Sequence, residues 1–309
     1  MRRRGEAVYS RLEEIPLGTA PHTVTEGCLV LEGGGWRCLY SQGAVDAMMQ
    51  AGINLQTTIG TSAGALTALC YLSGQIGLSA HYNLSHRFDK DYSGLSALRR
   101  DHGVTGFSYF FESFLGSDEF DMKRFLEPER RLLVTATNCY TGKVEFFEKG
   151  KTPYFRQAVQ ASGTVPYVSE PVEINGMKYL DGGIGEKIPL DKPFEEGFRK
   201  VVLIRTRDRN FRKKSGSITL PQLAYYEYPE IKRALEEEAP RYNLLVERIN
   251  AMEKSGQLFV IAPSEEVTVS RFETDVEKLG DLYWLGYHDA QAALDALKEY
   301  LETGEQYVG

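Results

Sequence analysis

At 309 residues, 42% hydrophobic and 26% charged, the chain has ordinary globular proportions and enough length for a large core. Its net charge of -7 argues against nucleic acid as a partner, and no apolar run approaches the roughly 20 residues a membrane span requires. Cys28, Cys38, Cys70 and Cys139 are widely spaced and mostly in apolar segments, so they read as reduced core thiols of a cytoplasmic protein.

Met1 to Glu6 carries charge with no apolar stretch behind it, unlike a signal peptide, and residues 1–25 read as an N-terminal tail. Cys28 to Leu31 is a buried strand, followed directly by Glu32-Gly33-Gly34-Gly35-Trp36-Arg37 and by a helix from about Gly43 to Gln50, closed by Gly52. Three glycines after a strand let backbone amides approach developing negative charge, as an oxyanion hole requires. A nucleotide phosphate loop is the competing reading, but neither glycine signature of such loops is present. Thr58 to Gly64 carries G-x-S-x-G, with Ser62 between Gly60 and Gly64, after a short β-type run and before a small, apolar helix from Ala63 to Leu72. On a tight strand-to-helix turn the serine hydroxyl is pushed outward, and the flanking positions should lack side chains.

Residues 74–106 are polar and charged, include His81, His86 and His102, and read as a mobile cover. Phe107, Phe110, Phe111 and Phe114 define one helical face, either core or the lining of an acyl-chain pocket. Thr152-Pro153 is expected as N-cap and first position of a helix that runs to Ser162 and ends at Gly163. Pro171 to Ile174 and Met177 to Leu180 alternate about Asn175-Gly176, a strong hairpin signal. The second strand delivers Asp181-Gly182-Gly183, a carboxylate on a stiff element. Val201 to Ile204 is a further strand. The basic cluster Arg205, Arg207, Arg209, Arg212, Lys213 and Lys214 follows it and, with Arg2, Arg3 and Arg4, is either a solvated surface or a contact for anionic lipid headgroups.

Leu220 to Lys254 is expected as a helical insertion, with Pro229 and Pro240 at helix starts. Tyr225, Tyr226 and Tyr228 within it either frame a lipid entrance or cap a helix pair, and Gln257 to Ile261 adds a strand to the same sheet. Alternating strands and helices give a three-layer α/β/α arrangement around a mostly parallel sheet.

The ordered combination of G-G-G-x-R, G-x-S-x-G and D-G-G resembles the patatin-like phospholipase family. Ala161 to Pro166 is similar to that family's A-S-x-x-x-P segment, and Thr135 to Asn138 with Thr141 to Val144 to its T-x-x-x-T-G hairpin. The resemblance covers Cys28 to Pro189, and residues 200–309 read as a C-terminal extension of one catalytic domain spanning 26–309. It implies Ser62 as nucleophile and Asp181 as its partner in a dyad without histidine. It also implies Gly33, Gly34, Gly35 and Arg37 as the oxyanion loop, with Gly60, Gly64, Gly182 and Gly183 supporting the motifs. The implied activity is hydrolysis of lipid acyl esters, with no metal or other cofactor, and a transient membrane-surface contact is compatible with it. Two departures stand out: Cys38 where many members have glycine, and the stretch Ile184-Gly185-Glu186-Lys187-Ile188-Pro189, where many carry asparagine before the proline.

The chemistry adds a constraint of its own. A serine hydroxyl needs a base within about 2.6–3.2 Å, and an exposed aspartate with a pKa near ~3.9 is a poor one. Asp181 is therefore expected to be buried, with Ser62 as its main polar neighbour, and Arg37 either braces the glycine loop, the preferred reading, or faces solvent. The rival is a Ser-His-Asp triad, for which only His288 follows Asp181 in the chain. A carboxylesterase for small esters, and a lipid-binding protein without catalysis, are the alternative functions.

Overall fold

Apolar runs of four to eight residues buried on both faces are what a parallel sheet requires, and the chain supplies several. The computed structural model describes residues 8–89, 106–214 and 225–303. Eight strands form one sheet: β1 (Thr25–Leu31), β2 (Leu55–Thr61), β3 (Arg131–Asn138), β4 (Val144–Glu148), β5 (Val172–Ile174), β6 (Met177–Asp181), β7 (Val201–Ile204) and β8 (Phe259–Ile261). Their order is β8-β7-β1-β2-β3-β6-β5, with β4 paired to β3 off this path. From β8 to β3 every pairing is parallel; β4, β5 and β6 are antiparallel additions.

Alternation along the strands sorts the layers. Leu29, Leu31, Val202 and Ile204 join a core with α1 (Cys38–Gln50), α2 (Ala63–Ser73) and the long α7 (Val276–Thr303). Cys28, Val30, Val201 and Leu203 face Tyr242, Val246 and Ile249 of α6 (Glu238–Lys254). The result is the α/β/α arrangement. Among the described residues no helix is long and apolar enough to cross a membrane.

Helix α7 crosses α1 where both lack side chains. A Cβ at Gly43 would lie 2.0 Å from the Tyr283 carbonyl oxygen, and one at Gly286 2.0 Å from that of Tyr40. At the same crossing the Tyr283 hydroxyl donates to Asp46 at 2.9 Å, and burial pushes the Asp46 carboxyl up to about 7. The described part of residues 1–25 is anchored, not loose: Tyr9 and Ile15 are buried, and the Ser10 hydroxyl donates to Glu277 of α7 at 2.7 Å.

The hairpin expected at Asn175-Gly176 is present, both residues having positive φ (50° and 78°) as a type I′ turn demands. Other details differ from the sequence reading. α1 begins at Cys38, five residues before Gly43. The helix expected from Thr152 is α4 in chain position (after α3, Leu78–His86) and spans Phe155–Ser162, because the Thr152 hydroxyl accepts the Glu148 amide and closes the turn after β4. Tyr154 takes the cap position. The phenylalanine stripe begins as one helical turn, Phe107–Tyr109, and continues as a π-helix, Phe110–Leu115. α5 (Pro229–Glu236) starts on Pro229, and Pro240 is the third residue of α6, in its first turn.

Several residues of the basic run after β7 are tied into the fold. Arg205 is fully buried, Arg207 lies over the Phe211 ring, Arg209 pairs with Glu253 and Lys213 pairs with Glu238. Arg209, Arg212 and Lys214 are exposed. Arg2, Arg3, Arg4, His102 and residues 220–224 fall outside the described residues.

Candidate active site

Register places the two motif residues together. A strand has two edges, and β4 takes one edge of β3. The other edge is shared: Thr61 at the end of β2 lies opposite Thr135, and Asp181 at the end of β6 lies opposite Ala136. Two strands running in opposite directions therefore meet end to end, and the residue after Thr61 is Ser62. Its hydroxyl donates to Asp181 Oδ2 at 2.7 Å, across 119 positions of sequence.

Ser62 holds φ 56° and ψ -128°, a conformation that costs a non-glycine residue about 1–3 kcal/mol. What keeps it there is close packing of strand and helix. A Cβ at Gly64 would stand 2.6 Å from the Leu31 carbonyl oxygen, and one at Gly60 2.5 Å from the Ala65 Cα. The Ser62 amide is committed to Ser162 Oγ at 2.8 Å. Ser162, in the A-S-x-x-x-P segment, therefore fixes the turn, a role the sequence reading did not assign.

Asp181 is 9% exposed and its second oxygen, Oδ1, accepts the Gly183 amide at 2.7 Å. Burial raises its pKa, while the Ser62 hydrogen bond and the nearby Arg271 and Lys187 charges act the other way. Gly182 packs its Cα against Thr135, where a side chain would not fit.

The glycine loop turns over this pair. A Cβ at Gly33 would sit 3.0 Å from that of Ser62; Gly35 has φ 58° and no room for a side chain beside Arg271. The Trp36 amide is used by the Arg271 carbonyl oxygen at 3.2 Å, and the Gly34 amide faces the Cys38 sulfur. Among the described residues the Gly33 and Gly35 amides have no acceptor. Glu32, 1% exposed, anchors the root of the loop: one oxygen accepts the Thr206 amide at 2.7 Å and the other the Tyr242 hydroxyl at 2.9 Å. Arg37 is buried beneath the loop and does not line the cavity, and its Nε has no hydrogen-bond partner. Burial, then Arg207 and Arg271, lower its pKa to about 10.

Ser62, Asp181 and the three loop glycines open into a cavity of about 650 Å³, within the range of small-molecule sites. Tyr82, Phe107, Phe110 and Phe114 supply an aromatic wall. Phe110 and Phe114 thus both join the core and line the cavity, Phe107 is buried and lines it too, and Phe111 lies under Arg156. Tyr167, Val168 and Phe272 line the cavity while exposed to solvent. No described histidine lines it; His288 is exposed and stacks on Trp284. Among the described residues no group of three or more His, Cys, Asp or Glu side chains could hold a metal ion.

The polar part of the cavity contains Lys187, Glu238 and Arg271, the last two from beyond the three motifs. Lys187 Nζ lies 3.6 Å from Glu238, and Glu238 is also the partner of Lys213. Burial lowers the Lys187 pKa to about 7, with Lys213 and Arg271 adding to the effect and Glu238 opposing it.

The patatin-like phospholipase family model matches residues 29–194, more than half of the chain. The chain belongs to the patatin-like phospholipase family. A second model, a domain of unknown function (DUF6363), matches residues 228–302, which hold α5, α6, β8 and nearly all of α7 in this patatin-like protein. Relatives include the uncharacterized protein YjjU of Escherichia coli K12, 24% identical over 196 residues, covering 62% of this chain and 55% of YjjU. Lysophospholipase NTE1 of Candida albicans is 24% identical over 187 residues, 57% of this chain and 13% of NTE1. The patatin-like chain thus spans about half of YjjU and a much smaller part of NTE1. Among solved structures, VipD from Legionella pneumophila aligns over 96% of this chain and 72% of its own, at 15% identity and a TM-score of 0.48.

Proposed function

We propose that this protein is a serine acyl hydrolase acting on lipid acyl esters, of phospholipase A or lysophospholipase type, through an acyl-enzyme on Ser62. The observation that carries the reading is the 2.7 Å hydrogen bond from the Ser62 hydroxyl to a buried Asp181 at the cavity. Asp181 takes the hydroxyl proton as Ser62 Oγ attacks the ester carbonyl. A carboxylate with a raised pKa is a stronger base than a free aspartate, so burial serves the step. The tetrahedral oxyanion is held by amides of the Gly33-Gly34-Gly35 loop, and Arg37 supports the loop from behind. Asp181 then returns the proton to the departing alcohol. In the second half a water gives a proton to Asp181 as its oxygen attacks the acyl carbon, the bond to Ser62 Oγ breaks, and Asp181 returns the proton to Ser62 as the fatty acid leaves.

The aromatic wall supports an acyl chain as the group held beside Ser62, and the family match and the lysophospholipase relative support a lipid substrate. Exposed Tyr167, Val168 and Phe272 at the cavity support transient contact with a lipid interface. The test is labelling by a fluorescent fluorophosphonate. Wild type should label, and Ser62→Ala and Asp181→Asn should not. A folded wild type that stays unlabelled sinks the proposal in favour of lipid binding without catalysis.

A further inference from the structure

We propose that Lys187 and Arg271 form an anion subsite beside Ser62 that recognises a phosphate group on the ester substrate; this rests on the hydrolase reading above. The argument starts from charge accounting. Lys187 and Arg271 line one part of the cavity, with Lys213 and Arg37 close behind them. Facing them are Glu238 and Asp181, with Glu32 beside Arg37, and Asp181 is engaged by Ser62 and Gly183. Glu238 serves Lys213 first, leaving Lys187, 91% buried by its 9% exposure, at 3.6 Å and without a hydrogen bond. The Arg271 guanidinium has no hydrogen-bond or ion-pair partner among the described residues, although its carbonyl oxygen holds the Trp36 amide. Buried cations in excess of their counter-ions are costly, and an incoming anion relieves that cost.

Geometry assigns the anion to the substrate. Both side chains line the same cavity as Ser62, and the Arg271 Cγ lies where a Gly35 Cβ would be 2.7 Å away, so the arginine is fixed against the glycine loop. The aromatic wall belongs to the core on the α1 and α2 face, whereas Glu238 begins α6 on the opposite face and Lys187 leads into that second core. A substrate with an acyl chain against the phenylalanines and a phosphate against Lys187 and Arg271 would present its ester at Ser62. An arginine fork and a lysine point charge are suited to a phosphate's oxygens. The subsite also gives the segment of residues 228–302 a role, since it contributes Glu238 and Arg271.

The test is the ratio of kcat/KM for a monoacyl glycerophosphate to that for the monoacylglycerol of the same chain. Wild type should favour the phosphate ester. Arg271→Gln and Lys187→Met should each lower the ratio about tenfold, the loss expected for one charge-assisted hydrogen bond, and Arg271→Lys should restore part of it. A ratio unmoved in both variants overturns the subsite. Calorimetry with glycerol phosphate on Ser62→Ala reads binding without hydrolysis. If wild type cleaves neither ester while this variant binds glycerol phosphate through Arg271, the hydrolase reading falls and the subsite stands. Inorganic phosphate binding as tightly as glycerol phosphate would assign the site to free phosphate and overturn recognition of a headgroup.

Discussion

Replacing Asp181 with asparagine keeps the shape of the side chain and removes its basicity. A positioned general base contributes about 10²–10⁴ in rate, so Asp181→Asn should lower kcat by that range with little change in unfolding temperature. The pH profile follows from the same burial. Asp181 acts as a base only when ionised, and its pKa is raised by burial. Activity should therefore fall, as pH drops, at a value above the ~3.9 of a free aspartate. Lys187 works in the other direction: its charge is lost as pH rises through about 7. Asp181, Glu238, Lys213, Arg271 and Arg37 are the charges around it. Preference for a phosphate-bearing ester should shrink across that pH, which a ratio of kcat/KM values measures directly.

Among the elements, the glycine loop depends on partners far along the chain. Tyr242→Phe removes the hydroxyl that satisfies a Glu32 oxygen in a site where Glu32 is 1% exposed. Leaving a buried charged acceptor short of a donor costs about 1–3 kcal/mol, and the loss should appear as a lower unfolding temperature and slower fluorophosphonate labelling. The α1 and α7 crossing is equally exacting. Gly43→Ala would drive a methyl to within 2.0 Å of the Tyr283 carbonyl oxygen, so the helices must separate. Overpacking of this kind costs about 1–3 kcal/mol, readable by denaturant unfolding.

For the whole molecule, the packing argues that residues 228–302 are not an appendage. They supply a sheet strand, one helix on each face, and four residues of the cavity, Leu235, Glu238, Arg271 and Phe272. We propose that residues 26–303 fold as one unit, with the preceding described residues pinned to α7 through Ser10 and Tyr9. A chain ending at residue 227 should then fail to give a cooperative unfolding transition, because the apolar faces of α1 and β7 would stand open to water. A stable, labelling-competent 1–227 fragment would refute the idea.

What the sequence by itself determined is local. The glycines at 33–35, 60 and 64, the strained Ser62 turn and the Asn175-Gly176 hairpin are demands of backbone geometry, and such demands are written in consecutive residues. Even the short-range misreadings were local competitions, as when Thr152 closed a turn instead of capping a helix. Tertiary structure decided the rest. Ser62 and Asp181 meet because β2 and β6 share one edge of β3, a fact of strand pairing that neither motif contains. Glu32, Tyr242, Glu238 and Arg271 have no local signature, since a charge or hydroxyl acquires its role only from what is folded against it. The basic run after β7 makes the same point in reverse: its charge is plain in the chain, but its partners, and therefore its meaning, exist only in the fold.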